Sequence, residues 1–155
     1  FRSIMNTYAD SLKDIMLIIL IVAGAGTLKN VFTDSGMSGN LAEMLKGINL
    51  SPLFLGWLIA AVIRVAMGSA TVAGLTTAGI IAPLVVVTGT DPNLMVLSVG
   101  AGSLFFSHVN DSGFWLFKEY FNLSIKDTMR SWSVMETIVS VVGLLGVLLL
   151  NYFMH

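Results

Sequence analysis

Two short runs of small and polar residues interrupt an otherwise apolar sequence, and the side chains able to do chemistry collect in them. The first run is Gly68, Ser69, Ala70 and Thr71, with Arg64 one turn earlier. If a helix breaks there, the limb that follows starts near Thr71 with unpaired backbone N–H groups and the positive end of its dipole. Such an end binds anions, and the broken helices of transporters use it for substrate carboxylates. The hydroxyls of Ser69 and Thr71 then serve as caps or as ligands for a hydroxylated substrate. Arg64 brings a full positive charge, as a substrate ligand or as the partner of a carboxylate elsewhere. Close helix packing is the competing reading, because Ala66, Ala70, Gly74, Ala78 and Ala82 recur every four residues as a small-residue ridge.

The second run is His108, Val109, Asn110, Asp111 and Ser112. Asp111 is the only carboxylate between Pro92 and Phe117. Placing an Asp at the centre of a membrane helix costs roughly 2.5–3.5 kcal/mol, so an ionisable group there is a functional hypothesis by default. A carboxylate withdrawn from water can take up and release a proton, which makes Asp111 the candidate for proton coupling. As an N-cap for the residues after it, Asp111 would do only what Asn110 or Ser112 could do more cheaply. His108 lies three residues earlier and shares the proton or holds a structural hydrogen bond. Asn110 and Ser112 complete the polar set as substrate ligands.

Enzymatic chemistry finds no footing. The chain has no Cys, hence no thiol nucleophile or thiolate metal site, and only two His, one of them the last residue. No Gly-x-Ser-x-Gly elbow and no His-Glu-x-x-His zinc motif occurs. Gly24-Ala25-Gly26 lacks the third glycine of a dinucleotide site. No cofactor and no metal is expected.

The elements that must position these residues follow from composition. Of 155 residues, 55% are hydrophobic and 11% charged, with mean hydropathy +0.87. Soluble domains carry charge on about a quarter of their residues, so the chain is expected to sit in the lipid bilayer. A net charge of −1 leaves no basic footprint for nucleic acid. No alternating pattern is present, and the expected fold is all-α.

Capping signals divide the chain. A box at Ser11–Asp14 opens a transmembrane helix over 11–32. A polar, Gly-rich stretch over 33–40 follows, then a short helix over 41–46. Ser51-Pro52 and Asp91-Pro92 each place a cap before a first-turn proline. They open segments over 52–90 and 92–120, the second broken at the Asp111 run. Boxes at Ser124–Asp127 and Ser133–Glu136 precede a last transmembrane helix over 133–154. Trp57, Trp115 and Trp132 read as interface anchors.

Lys118, Lys126 and Arg130 put the loop over 118–130 in the cytoplasm, with the C-terminus outside. Parity closes only if 52–90 leaves from and returns to the outer face, as a re-entrant hairpin with Gly68–Thr71 at its tip. Non-helical backbone at membrane depth survives only within protein or against a water-filled cavity. The expected architecture is about three transmembrane helices plus one re-entrant hairpin.

The runs Gly68–Ala73 (GSATVA), Phe105–Trp115 (FFSHVNDSGFW) and Ser131–Glu136 (SWSVME) closely resemble the C-terminal part of the gluconate permease family. The similarity covers essentially the whole chain. The resemblance implies a proton symporter for gluconate or a related sugar acid in the bacterial inner membrane. A sodium- or proton-coupled transporter of another small organic anion or hydroxy amino acid, such as D-serine, is the alternative. It also implies one half of an inverted-repeat transporter with elevator-type motion. This chain would then be a C-terminal fragment of one transport domain that needs the missing N-terminal repeat. The implied partners are the organic anion, a proton and lipid; homo-oligomers are left open.

Overall fold

The computed structural model describes residues 50–154 and, before them, only Met5, Tyr8, Leu12, Met16, Leu20, Ala23, Gly24, Thr27, Val31, Asp34 and Ser35. The helix expected over 11–32 therefore lies largely outside the described residues, and the short helix over 41–46 lies wholly outside them. All regular structure among the described residues is helical.

Helix α1 (Pro52–Met67) starts as its sequence dictates, with Ser51 at the cap and proline in the first turn. It stops at Gly68, whose φ of 70° is left-handed and whose N–H closes on the Arg64 carbonyl at 2.9 Å. Helix α2 (Ala70–Thr88) follows after a single residue, Ser69, whose Oγ accepts from the Val72 N–H at 3.3 Å. It carries Pro83 within it and ends at left-handed Gly89. Helix α3 (Pro92–Gly102) is capped by Asp91, which accepts from the Asn93 N–H at 2.7 Å. Residues 103–111 then form an irregular turn before helix α4 (Ser112–Tyr120).

Helix α5 runs unbroken over Ile125–Met154. The Ser124 cap is used, its Oγ accepting from the Asp127 N–H at 3.2 Å. The second box does not start a helix: Ser133 is buried inside α5, eight residues past its first residue, and its hydroxyl donates to the Met129 sulfur. No Gly or Pro occurs between Ile125 and Val142 to stop the coil, so the helix absorbs the charged stretch and takes up its irregularity as a π turn over Met129–Ser133.

Helix α3 lies at the centre, packed against α1, α2 and α5. The core joins Leu53 and Ala60 of α1, Ile81 and Leu84 of α2, Leu94, Met95 and Val99 of α3, and Val147 of α5. Small residues set the spacing: a Cβ on Gly102 would stand 2.3 Å from the Trp57 carbonyl oxygen, so α3 and α1 can meet at this depth only with glycine there. Two buried polar bonds pin the layers, Ser98 Oγ to the Leu53 carbonyl at 2.5 Å and Trp57 Nε1 to Ser140 Oγ at 3.0 Å. The outer faces are apolar instead of charged, with Val62, Val86, Leu116, Leu145 and Leu149 all exposed. Helix α2 and helix α5 are both long and apolar enough to cross a membrane.

Candidate functional site

The two interruptions, far apart in sequence, meet in space. Gly68 ends α1 in a left-handed turn, and the space where its Cβ would stand is filled by the backbone of Asn110, with the carbonyl oxygen at 2.3 Å. Only glycine permits both the dihedral and the approach. Asn110 in turn donates from Nδ2 to the Val65 carbonyl at 2.8 Å. That carbonyl belongs to the last turn of α1, where acceptors lack helical partners, so the second break caps the first.

Arg64 and Asp111 meet beneath this contact. Arg64 is 3% exposed, and its Nη2 lies 2.5 Å from Asp111 Oδ2. Ser107 donates its hydroxyl to the same oxygen, and Ser107 itself accepts from Trp132 Nε1 at 2.8 Å. The other carboxylate oxygen accepts from the Gly113 N–H at 2.9 Å, which makes Asp111 the N-cap of α4 as well. Capping and charge pairing are thus one arrangement of one side chain. Arg64 finds its carboxylate within this chain, 47 residues on.

That pair leaves Arg64 incompletely satisfied. Its Nε and Nη1 are buried with no hydrogen-bond partner among the described residues. Unpaired buried donors on a charged group are costly, and guanidinium N–H groups form strong charge-assisted bonds with oxyanions. An oxyanion brought against these two donors would satisfy them while the bond to Asp111 stays in place.

The remaining candidates spread around this centre. Ser69 is engaged as the cap of α2, and Thr71 is exposed on its first turn. Ser112 is exposed at the start of α4. His108 sets Nδ1 3.3 Å from the Phe106 carbonyl and leans on the Phe106 ring at 5.5 Å, away from the ion pair. The small-residue ridge does not close against a neighbour. Ala70, Gly74, Ala78 and Ala82 line one wall of an apolar groove of about 710 Å³, with Val96 and Gly100 of α3 opposite. No three His, Asp or Glu side chains converge for a metal among the described residues.

Three participants escaped the sequence reading. Ser107 bridges Trp132 and Asp111. Trp132, half-buried, uses its indole N–H for this bond and packs on the Phe117 ring at 4.9 Å. Glu136, one turn further along α5, is half-buried and within Coulombic reach of Arg64 and Asp111. The signal was available: Trp132 and Glu136 are four apart in a helix, hence on one face.

Comparison with known proteins settles the lineage. The GntP family permease model matches residues 1–153. The chain belongs to the GntP permease family. This GntP chain is 56% identical over 148 residues to a high-affinity gluconate transporter of Escherichia coli K12, covering 96% of this chain and 34% of that protein. It is 52% identical to the Gnt-II system L-idonate transporter of the same strain, over 99% of this chain and 35% of the relative. A gluconate permease of Bacillus subtilis 168 is 45% identical, over 97% and 34% respectively. The GntP chain thus spans about a third of the length of these curated relatives. No solved structure matches it. A permease is a transporter, not an enzyme, and the apolar helices fit a membrane protein.

Proposed function

We propose that this chain forms the substrate-handling part of a proton-coupled permease for gluconate or a related sugar acid in the bacterial inner membrane. The observation that carries the reading is a buried guanidinium with two open donors, held where two helix breaks touch. A sugar acid offers one carboxylate and a row of hydroxyls. Arg64 and the amide end of α2, shaped by Gly68 and Ser69, suit the carboxylate; Thr71, Asn110 and Ser112 suit the hydroxyls. Relatives named for gluconate and L-idonate transport support that substrate class.

On this reading, 52–90 is a re-entrant hairpin entered from the outer face. Segments 11–32, 92–120 and 133–154 cross the bilayer, and the C-terminus is periplasmic. All of them belong to one membrane transport domain over 1–155. The coupling proton binds within the charged cluster, for which the sequence puts forward Asp111 and His108, and to which the arrangement around Arg64 adds Glu136.

The test is counterflow in proteoliposomes, using a complete family permease that carries this segment. Labelled gluconate is expected to exchange against unlabelled gluconate, idonate and other sugar acids, and not against uncharged sugars. Failure of every sugar acid to exchange would refute the proposal.

A further inference from the structure

Glu136 belongs to a cap pattern that the fold does not use. Its surroundings suggest another task. Trp132, one turn before it, donates to Ser107, and Ser140, one turn after it, accepts from Trp57. The row of residues 132, 136 and 140 therefore faces the junction of α1 with the turn over 103–111. There Glu136 is half-buried, with Arg64 and Asp111 both in Coulombic reach. No donor among the described residues binds its carboxylate.

Asp111 stands in contrast. It holds Arg64, the Ser107 hydroxyl and the Gly113 N–H. Neutralising Asp111 strands a buried guanidinium, whereas neutralising Glu136 undoes no contact. Other titratable groups nearby do not compete. Helix α3 carries none, and α1 carries only Arg64. On α4, Lys118 and Glu119 pair with each other at 2.7 Å and Tyr120 is exposed. His108 faces the Phe106 carbonyl. Lys126, Asp127 and Arg130 lie exposed on the opening turns of α5.

Arg64, Asp111 and Glu136 together carry a net charge of −1 when all are ionised. An arriving sugar-acid anion would double that charge. We infer that Glu136 takes the coupling proton as the substrate carboxylate docks on the open Nε and Nη1 donors of Arg64. The step moves one proton from hydronium of the facing aqueous phase to a carboxylate oxygen of Glu136: one hydronium O–H bond breaks, leaving water, as one O–H bond forms on Glu136. The occupied site returns to a net −1, so anion and proton each favour the other's binding while the Arg64–Asp111 pair stays intact. This inference rests on the transport reading above and assigns it a proton carrier.

The experiment compares counterflow with accumulation, using labelled gluconate and a complete family permease carrying this segment in proteoliposomes. A gradient of one pH unit supports about tenfold accumulation per coupled proton, since one unit and a factor of ten are the same free energy. Glu136→Gln is expected to keep counterflow and lose that accumulation, with proton entry per gluconate falling toward zero. Asp111→Asn is expected to lose counterflow itself. Normal accumulation in Glu136→Gln overturns the inference, as does an Asp111→Asn variant that exchanges normally and fails only to accumulate. If Glu136→Gln does not insert, Glu136→Asp decides the matter: a shifted pH profile of uptake supports the assignment, and an unchanged profile overturns it. Absence of counterflow in the unmodified protein refutes the transport reading, and the inference falls with it.

Discussion

Removing either member of the Arg64–Asp111 pair should cost far more than removing both. Asp111→Asn keeps an acceptor for the Gly113 N–H, so α4 stays capped, and it isolates the loss of charge. Arg64 then stands 3% exposed with no counter-ion in contact and with Nε and Nη1 already unpaired. Breaking a buried pair from one side costs about 3–5 kcal/mol, while replacing both partners by apolar groups of similar size is often neutral. Arg64→Met strands Asp111 less severely, because Ser107 and Gly113 still donate to it; about 2–3 kcal/mol is expected. The double variant Arg64→Met/Asp111→Asn should then lie within about 2 kcal/mol of the unmodified protein, giving a coupling of about 3 kcal/mol or more. Equilibrium unfolding in mild detergent, followed by tryptophan fluorescence, measures all four corners of the cycle. Single costs that simply add, to within about 0.5 kcal/mol, would refute the reasoning, because independent residues do not share a buried charge.

Three further outcomes follow from the same geometry. Gly68→Ala forces a side chain into the left-handed region and against the Asn110 backbone, so it should destabilise by more than the roughly 1–2 kcal/mol of the dihedral alone. A thermal melt equal to that of the unmodified protein would contradict the contact between the breaks. Trp132→Phe removes the indole donor to Ser107 while keeping a ring against Phe117; about 1 kcal/mol of stability should be lost, and Ser107→Ala on top of it should add less than it does alone. Cysteines placed at positions 50 and 90 of this Cys-free sequence should both label from outside the cell, and cytoplasmic labelling of either would exclude the hairpin proposed for 52–90.

The sequence announced its local chemistry well and its long-range pairing poorly. Asp91-Pro92 and Ser124 mark helix starts because a cap bonds within a few residues of itself, and Ser51-Pro52 marks one through its first-turn proline, with no side-chain bond from Ser51. Gly68 marked the first break for the same reason, since a left-handed stop is a property of one residue. Ser133–Glu136 carried the same cap pattern and misled, because a pattern of four residues cannot report that no breaker precedes it and that the coil is already running. The Arg64–Asp111 bond was out of reach: it closes over 47 residues, and apolar packing of α3 on α1 decides it. The union of the two breaks depends on the same packing. For Trp132, sequence gives a ring's amphipathic character and not that its N–H is aimed at Ser107.

The π turn over Met129–Ser133 also marks the one stretch of α5 that can lose a residue without turning its neighbours. Such a turn holds one residue more than the α turn it replaces, and each residue of an α-helix accounts for roughly 100° of rotation. Deleting a single codon within this stretch would let α5 close into a regular coil with a full ladder of backbone bonds and almost unchanged composition. Because the wide turn itself takes up the extra residue, the segments on either side would keep their bearing, and Ser140 its bond to Trp57. Helix α4, tethered to α5 by the short stretch over 121–124, would stay in place with the Asp111 cap in line with Arg64. The same one-residue deletion between this turn and Ser140, where the coil is a regular α-helix, would instead turn everything before it by about 100°.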